Sequence, residues 1–153
     1  MELDARHKNA WIAFVVAHEV ILKQIDLALA DAGHISHDVY EVLLALEEAP
    51  ARQMIMSELA QQVYLSRSGV TRLIDRLEKI GYVKRASCPS DRRALYAVLM
   101  EKGLAAREAA WPTYRQAIAE HFAAHISDDD AGQMTRTLVP LTGGRRLIGF
   151  EET

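Results

Sequence analysis

The stretch from Met56 to Arg93 constrains this chain most. Residues 56–63 read as a short helix that gives Leu59 and Val63 to a core, and Leu65-Ser66 reads as a tight turn. Ser66 is a good N-cap for a second helix that runs to about Ile80 and stops at Gly81. On that helix Val70, Leu73, Ile74 and Leu77 share one face, which leaves Arg67, Ser68, Thr71, Arg72 and Arg76 facing out. Residues 82–86 and 94–99 are rich in strand formers. Between them Ser87-Cys88-Pro89-Ser90-Asp91-Arg92-Arg93 supplies turn residues and charge. Helix, turn, basic helix and basic hairpin in that order suit a reader of DNA: one helix for the major groove, one charged tip for the backbone or minor groove.

Charge follows the same division. The chain of 153 residues carries a net charge of −3. From Ser66 to Arg93 there are eight basic and three acidic residues, a local +5, and the remainder carries −8. A concentrated basic segment on a mildly acidic protein fits binding to a polyanion that the other surfaces avoid. A solvated helix face would also be basic, but it would not coincide with the helix and hairpin pattern. No apolar run reaches the roughly 20 residues needed to cross a bilayer. Met1 to Ala10 is charged and lacks a signal-peptide core. One cysteine, Cys88, allows no internal disulfide framework. The reading is therefore a cytoplasmic protein without membrane association.

The flanks are helical. Trp11, Phe14, Val15, His18, Leu22, Ile25 and Leu29 recur at spacings of three and four within a helix over about 5–32, and Ile12, Val16, Val20 and Ile21 widen the stripe. A face this broad is expected to bury against more than its own domain. Gly33 is the expected stop. Ser36 is the expected cap of a helix over 37–48 that Pro50 ends, and residues 51–55 are a linker or short strand. From Glu101 the helical period resumes to about Ala124, with Pro112 expected to kink or divide it. Ser127 and Asp128 to Asp130 cap a last helix over about 128–140, which Gly143-Gly144 breaks. The expected fold is mainly α with a small β wing. Residues 36–100 form a winged helix-turn-helix lobe, and 1–35 with 101–153 form a helical dimerisation region, all in one integrated domain.

The candidate DNA contacts are Ser66, Arg67, Ser68, Thr71, Arg72 and Arg76 on the second helix of the motif, with Arg92 and Arg93 at the hairpin tip. Arginine binds guanine bidentately, hydroxyls suit phosphates and base edges, and a helix N-terminus takes a phosphate. Arg76 sits lower and suits a phosphate or structural contact. Arg93 suits a narrow minor groove. Asp91 cannot itself favour DNA; it positions Arg93, Arg72 or Arg76, or else simply starts the turn.

Taken together, Ser57-Glu58-Leu59-Ala60, Ser66 to Thr71, Arg72-Leu73, Arg76-Leu77-Glu78, Gly81, Val83, Arg85, the Asp91-x-Arg93 tip and Glu101-Lys102-Gly103 resemble the MarR family of bacterial transcriptional regulators. The resemblance is specific over about 35–105 and one of layout outside it. It implies a homodimer on double-stranded DNA, with a palindromic operator whose half-sites lie about 34 Å apart. It implies, most often, a repressor released by a small aromatic or phenolic effector, and no catalytic residue, metal or fixed cofactor. Trp11, Phe14 and His18, with His37, Asp38 and Tyr40, are the candidate lining of such an effector pocket, although ordinary dimer core is the commoner use of any one such residue. The chain departs from the family pattern at Met100, where a capping threonine is common, at Gly69, where serine or threonine is usual, and at Cys88.

Other readings stay open at this point. His34-x-x-His37 and His121-x-x-x-His125, assisted by Glu41 or Glu120, have spacings compatible with metal ligation, although surface histidines explain them too. Cys88, near Lys84, Arg85 and Arg92, would have a lowered thiol pKa if exposed, which would suit a redox-responsive regulator. A helical protein-interaction adaptor would not need the basic segment. An enzyme would need a nucleophile motif or phosphate loop, and neither is found.

Overall fold

The computed structural model describes residues 2–63, 65 and 67–151. The described residues form six α-helices and a three-stranded antiparallel sheet, joined in places by 3-10 turns: α1 (Ala5–Asp31), α2 (His37–Glu47), β1 (Gln53–Ile55), α3 (Met56–Gln62), α4 (Arg67–Lys79), β2 (Val83–Ser87), β3 (Leu95–Leu99), α5 (Glu101–His121) and α6 (Asp128–Leu138). The sheet order is β1-β3-β2, with Ile55 opposite Tyr96 and Arg85 opposite Ala97. This is the mainly α fold with a β wing that the sequence pattern predicts.

Two apolar clusters hold it. The larger joins α2, α3, α4 and the sheet through Val42, Leu43, Leu46, Leu59, Val70, Leu73, Ile74, Leu77, Val83, Ala97 and Leu99. Burying each of its leucines or isoleucines contributes about 1.5–3 kcal/mol, so the α4 stripe alone fixes which side of that helix remains outside. The smaller cluster joins α1, α2 and α5 through Ile25, Leu29, Tyr40, Ala110 and Ala117. Most of the α1 stripe lies outside both: Trp11 is 63% exposed and Phe14 46%.

Several local expectations are corrected. Ser36 precedes α2, but its hydroxyl makes no capping bond. The Asp26 carboxylate of α1 accepts the His37 N–H instead, at 2.8 Å. Of the kink or division expected at Pro112, division does not occur: α5 runs through the proline as one helix. Ala110 and Ala117, packed on either side of the proline, hold it against α1 and α2 despite the lost hydrogen bond. It ends at His121, and a single 3-10 turn, Ala123–His125, follows. The linker Pro50–Arg52 is also a 3-10 turn, with Ala51 and Arg52 both left-handed at φ 54° and 53°. Arg52 Nη1 reaches Glu101 Oε1 at 3.1 Å, tying this linker to the start of α5. The Ser127 cap is as expected: its hydroxyl accepts the Asp130 N–H while the Asp130 carboxylate accepts from Ser127.

Candidate nucleic-acid interface

The interface is built from α4 outward. With Val70, Leu73, Ile74 and Leu77 buried, Arg67, Ser68, Thr71, Arg72 and Arg76 are exposed, as the helical period requires. Ser66 lies outside the described residues, so its expected capping and DNA-contact roles have no geometry here. The exposed face of α4 is flanked by two clefts. One, of about 500 Å³, lies between α4 and the hairpin and brings together Arg67, Thr71, Arg85, Asp91 and Arg93 with Met56 and Ser57 of α3. The other lies on the opposite side of α4 and is lined by Gly69, Arg72 and Arg76, with Asp38 of α2 and Asp75. Arg92 is exposed at the hairpin tip. The basic side chains thus divide into a wing-side pair, Arg67 and Arg93, and an α2-side pair, Arg72 and Arg76.

Arg85, which sequence reading counted only as part of the basic patch, has a different use. Its guanidinium bonds Asp75 Oδ1 at 2.6 Å and Glu78 Oε1 at 3.0 Å, and its main-chain N–H bonds Glu78 Oε2 at 2.7 Å. Partial burial of the guanidinium opposes its charge, but the two carboxylates outweigh this and raise its pKa further. The effect is to fasten β2 to α4. The clue in the sequence was two acids, Asp75 and Glu78, one turn apart on α4 and followed by a strand arginine. Neutralising Arg85 internally also leaves the outward positive charge to Arg67, Arg72, Arg76, Lys79, Lys84, Arg92 and Arg93, none of which forms an ion pair among the described residues.

Asp91 takes the turn-forming role. Its Oδ1 accepts the Arg93 N–H at 2.9 Å, and its carbonyl accepts the Ala94 N–H at 3.0 Å. It positions Arg93 through the backbone, not through a guanidinium. Thr71 Oγ1 donates to the Arg67 carbonyl at 2.9 Å. With that proton committed, Thr71 offers only lone pairs outward, which suit the amino groups of adenine or cytosine and not a phosphate oxygen.

The remaining candidates fall elsewhere. His18, His37 and Asp38 do line one cleft, of about 400 Å³, with Leu22, Glu41, Val63, Leu65 and the C-terminal residues Arg146, Leu147 and Ile148. Tyr40 does not line it; it is buried against Trp111 and Tyr114 of α5, its ring 4.5 Å from that of Tyr114. Trp11 and Phe14 are on the open face of α1, ring centroids 6.3 Å apart. At the cleft edge burial pushes the Glu41 carboxyl upward, against the pull of His37 and of the Tyr114 hydroxyl at 3.4 Å. Among the described residues no three histidine, cysteine or acidic side chains converge as a metal site would require. Cys88 is buried, with Sγ 3.2 Å from Ser90 Oγ. Its thiol pKa is lowered, but the hydrogen bonds from Ser90 do this and not the neighbouring cations.

Comparison with known proteins agrees with this geometry. The MarR family model matches residues 35–95, the stretch from α2 to the start of β3. Over that stretch the chain is similar to the MarR family. It is similar to the HTH-type transcriptional regulator PrsX of Escherichia coli, 41% identical over 70 residues that cover 46% of this chain and 42% of PrsX. The match thus spans less than half the length of that relative. Among solved structures it is similar to AbsC, a MarR family transcriptional regulator from Streptomyces coelicolor, with a TM-score of 0.82 and 29% identity over 94% of this chain and 96% of AbsC. It is also similar to Sco3205 from the same organism, a MarR family transcriptional regulator solved in complex with DNA, with a TM-score of 0.84 and 26% identity over 94% of this chain and 90% of Sco3205. All three of these relatives are transcriptional regulators by name. No described helix is long and apolar enough to cross a membrane.

Proposed function

We propose that the chain is a DNA-binding transcriptional regulator that acts as a homodimer on a palindromic operator and is released from it by a small aromatic or phenolic effector. The observation that carries the DNA-reading part is the wing-side cleft, where Arg67 and Thr71 of α4 meet Arg93 of the wing. A rigid fastening through Arg85 holds the two elements at one spacing. The complex of the structural relative Sco3205 with DNA supports the same reading. The exposed α1 stripe supports a second chain as partner. For the effector, the candidate is the cleft at His18, His37 and Asp38, since it touches both α1 and the DNA-reading lobe. A ligand there releases DNA only if it binds the DNA-incompetent lobe spacing more tightly than the competent one.

A gel-shift titration on duplexes from the gene's own upstream region tests this. Affinity should fall steeply as salt rises from about 50 to 200 mM, because each neutralised phosphate releases counterions. Binding that ignores salt, or no binding to any duplex, would favour the adaptor reading.

A further inference from the structure

Residues 145–149 follow α6 and return to the DNA-reading lobe, where they end two of its helices. Arg146 Nη2 donates to the main-chain oxygen of Glu48, the residue that closes α2, and to Glu48 Oε2, both at 3.2 Å. The other carboxylate oxygen of Glu48 accepts the Gly149 N–H at 2.8 Å. Arg145 Nη1 donates to the main-chain oxygen of Gln61 in the last turn of α3, at 3.3 Å. The Gln62 side chain returns a bond to the Arg146 carbonyl at 2.6 Å. Two successive arginines therefore supply cationic donors to the C-terminal carbonyls of α2 and α3, where the helix dipole favours positive charge. Ile148 packs on the lobe's core, and Gly149 is left-handed at φ 70° so that the chain can turn down onto Leu44.

We propose that Arg145 to Gly149 form a strap that sets the position of the DNA-reading lobe on the dimerisation region and thereby tunes operator affinity. The inference rests on the DNA-reading function proposed above. Helix α3 shares a core with α4 through Leu59, Val70 and Leu73, so holding the end of α3 also holds the proposed recognition helix. The strap leaves the outer face of α4 and the wing-side cleft open. It restricts the lobe without blocking DNA, and a lobe already restricted loses less freedom on binding. The strap also forms one wall of the cleft that holds His18 and His37, so it is the element a ligand in that cleft would press on.

The test uses two full-length variants of opposite charge effect. Arg146→Ala removes a cation and Glu48→Ala removes an anion, but both release the strap. Each should weaken operator binding about ten-fold, with the melting temperature nearly unchanged and faster amide hydrogen exchange over residues 56–62. Shifts of opposite sign in the two variants, as net charge alone would give, would overturn the proposal. So would unaltered exchange in α3, or faster exchange with unchanged affinity. Failure of the wild-type chain to bind any duplex would instead sink the DNA-reading function, and the exchange measurement on the free protein would still decide whether the strap holds α3.

Discussion

Gly103 has almost no room for a side chain. A Cβ there would lie 2.3 Å from the main-chain oxygen of Tyr82. That oxygen accepts the Met100 N–H at 3.0 Å, so it cannot retreat without opening the junction of wing and α5. Gly103→Ala should cost about 1–3 kcal/mol in urea denaturation; a loss below about 0.5 kcal/mol, within the range of an ordinary surface change, would show that the junction yields easily. Arg72 and Arg93 make the opposite case, since both are exposed and their guanidinium groups form no ion pair among the described residues. Arg93→Ala should weaken operator binding and leave thermal unfolding unchanged. A sharp fall in stability with affinity per folded molecule intact would give Arg93 a structural role instead. Arg72→Ala should cost about 1–3 kcal/mol at one base pair if it reads a base. Equal weakening across all operator sequences would reassign it to a phosphate.

At the scale of elements, the helices and wing were legible because their apolar residues keep strict periods and their ends carry serine, glycine or proline. Val70, Leu73, Ile74 and Leu77 alone determine which arginines of α4 face out. What sequence could not give were pairings between elements distant in the chain. Asp26 at the start of α2, Arg85 against Asp75 and Glu78, and Arg146 against Glu48 each need a knowledge of which helices meet. The same holds for Tyr40, whose helical position is compatible with a cleft or a core until α5 is placed beside it. The α2–α5 contact has a pH signature. Burial raises the Glu41 pKa in the folded state, so in the window just above the usual carboxylate value the native chain holds more protons than the unfolded one. Its contribution to stability is fully present below the unfolded pKa and declines as pH rises through the raised value. Glu41→Gln should flatten the stability–pH curve in that window. A curve of unchanged slope would show that the carboxylate is effectively solvated.

The whole molecule is dominated by what its own fold leaves uncovered. Trp11, Ile12, Phe14, Val16 and Val20 stand exposed along α1, and α6 buries no residue. This many exposed large apolar side chains along one helix are costly to keep in water and mark an interaction surface. Sedimentation equilibrium is expected to give twice the chain mass, and Trp11→Glu combined with Phe14→Glu should return the single mass and abolish operator binding. A wild-type chain that sediments singly at micromolar concentration would remove the homodimer from the proposal. In the proposed homodimer a twin chain covers that bare α1 face. Folding and pairing would then obey mass action together, and heat resistance would climb with the amount of protein present. A cell making only a few copies would hold them both scarcer and individually more fragile, so its supply of working repressor or activator would fall faster than its supply of chain.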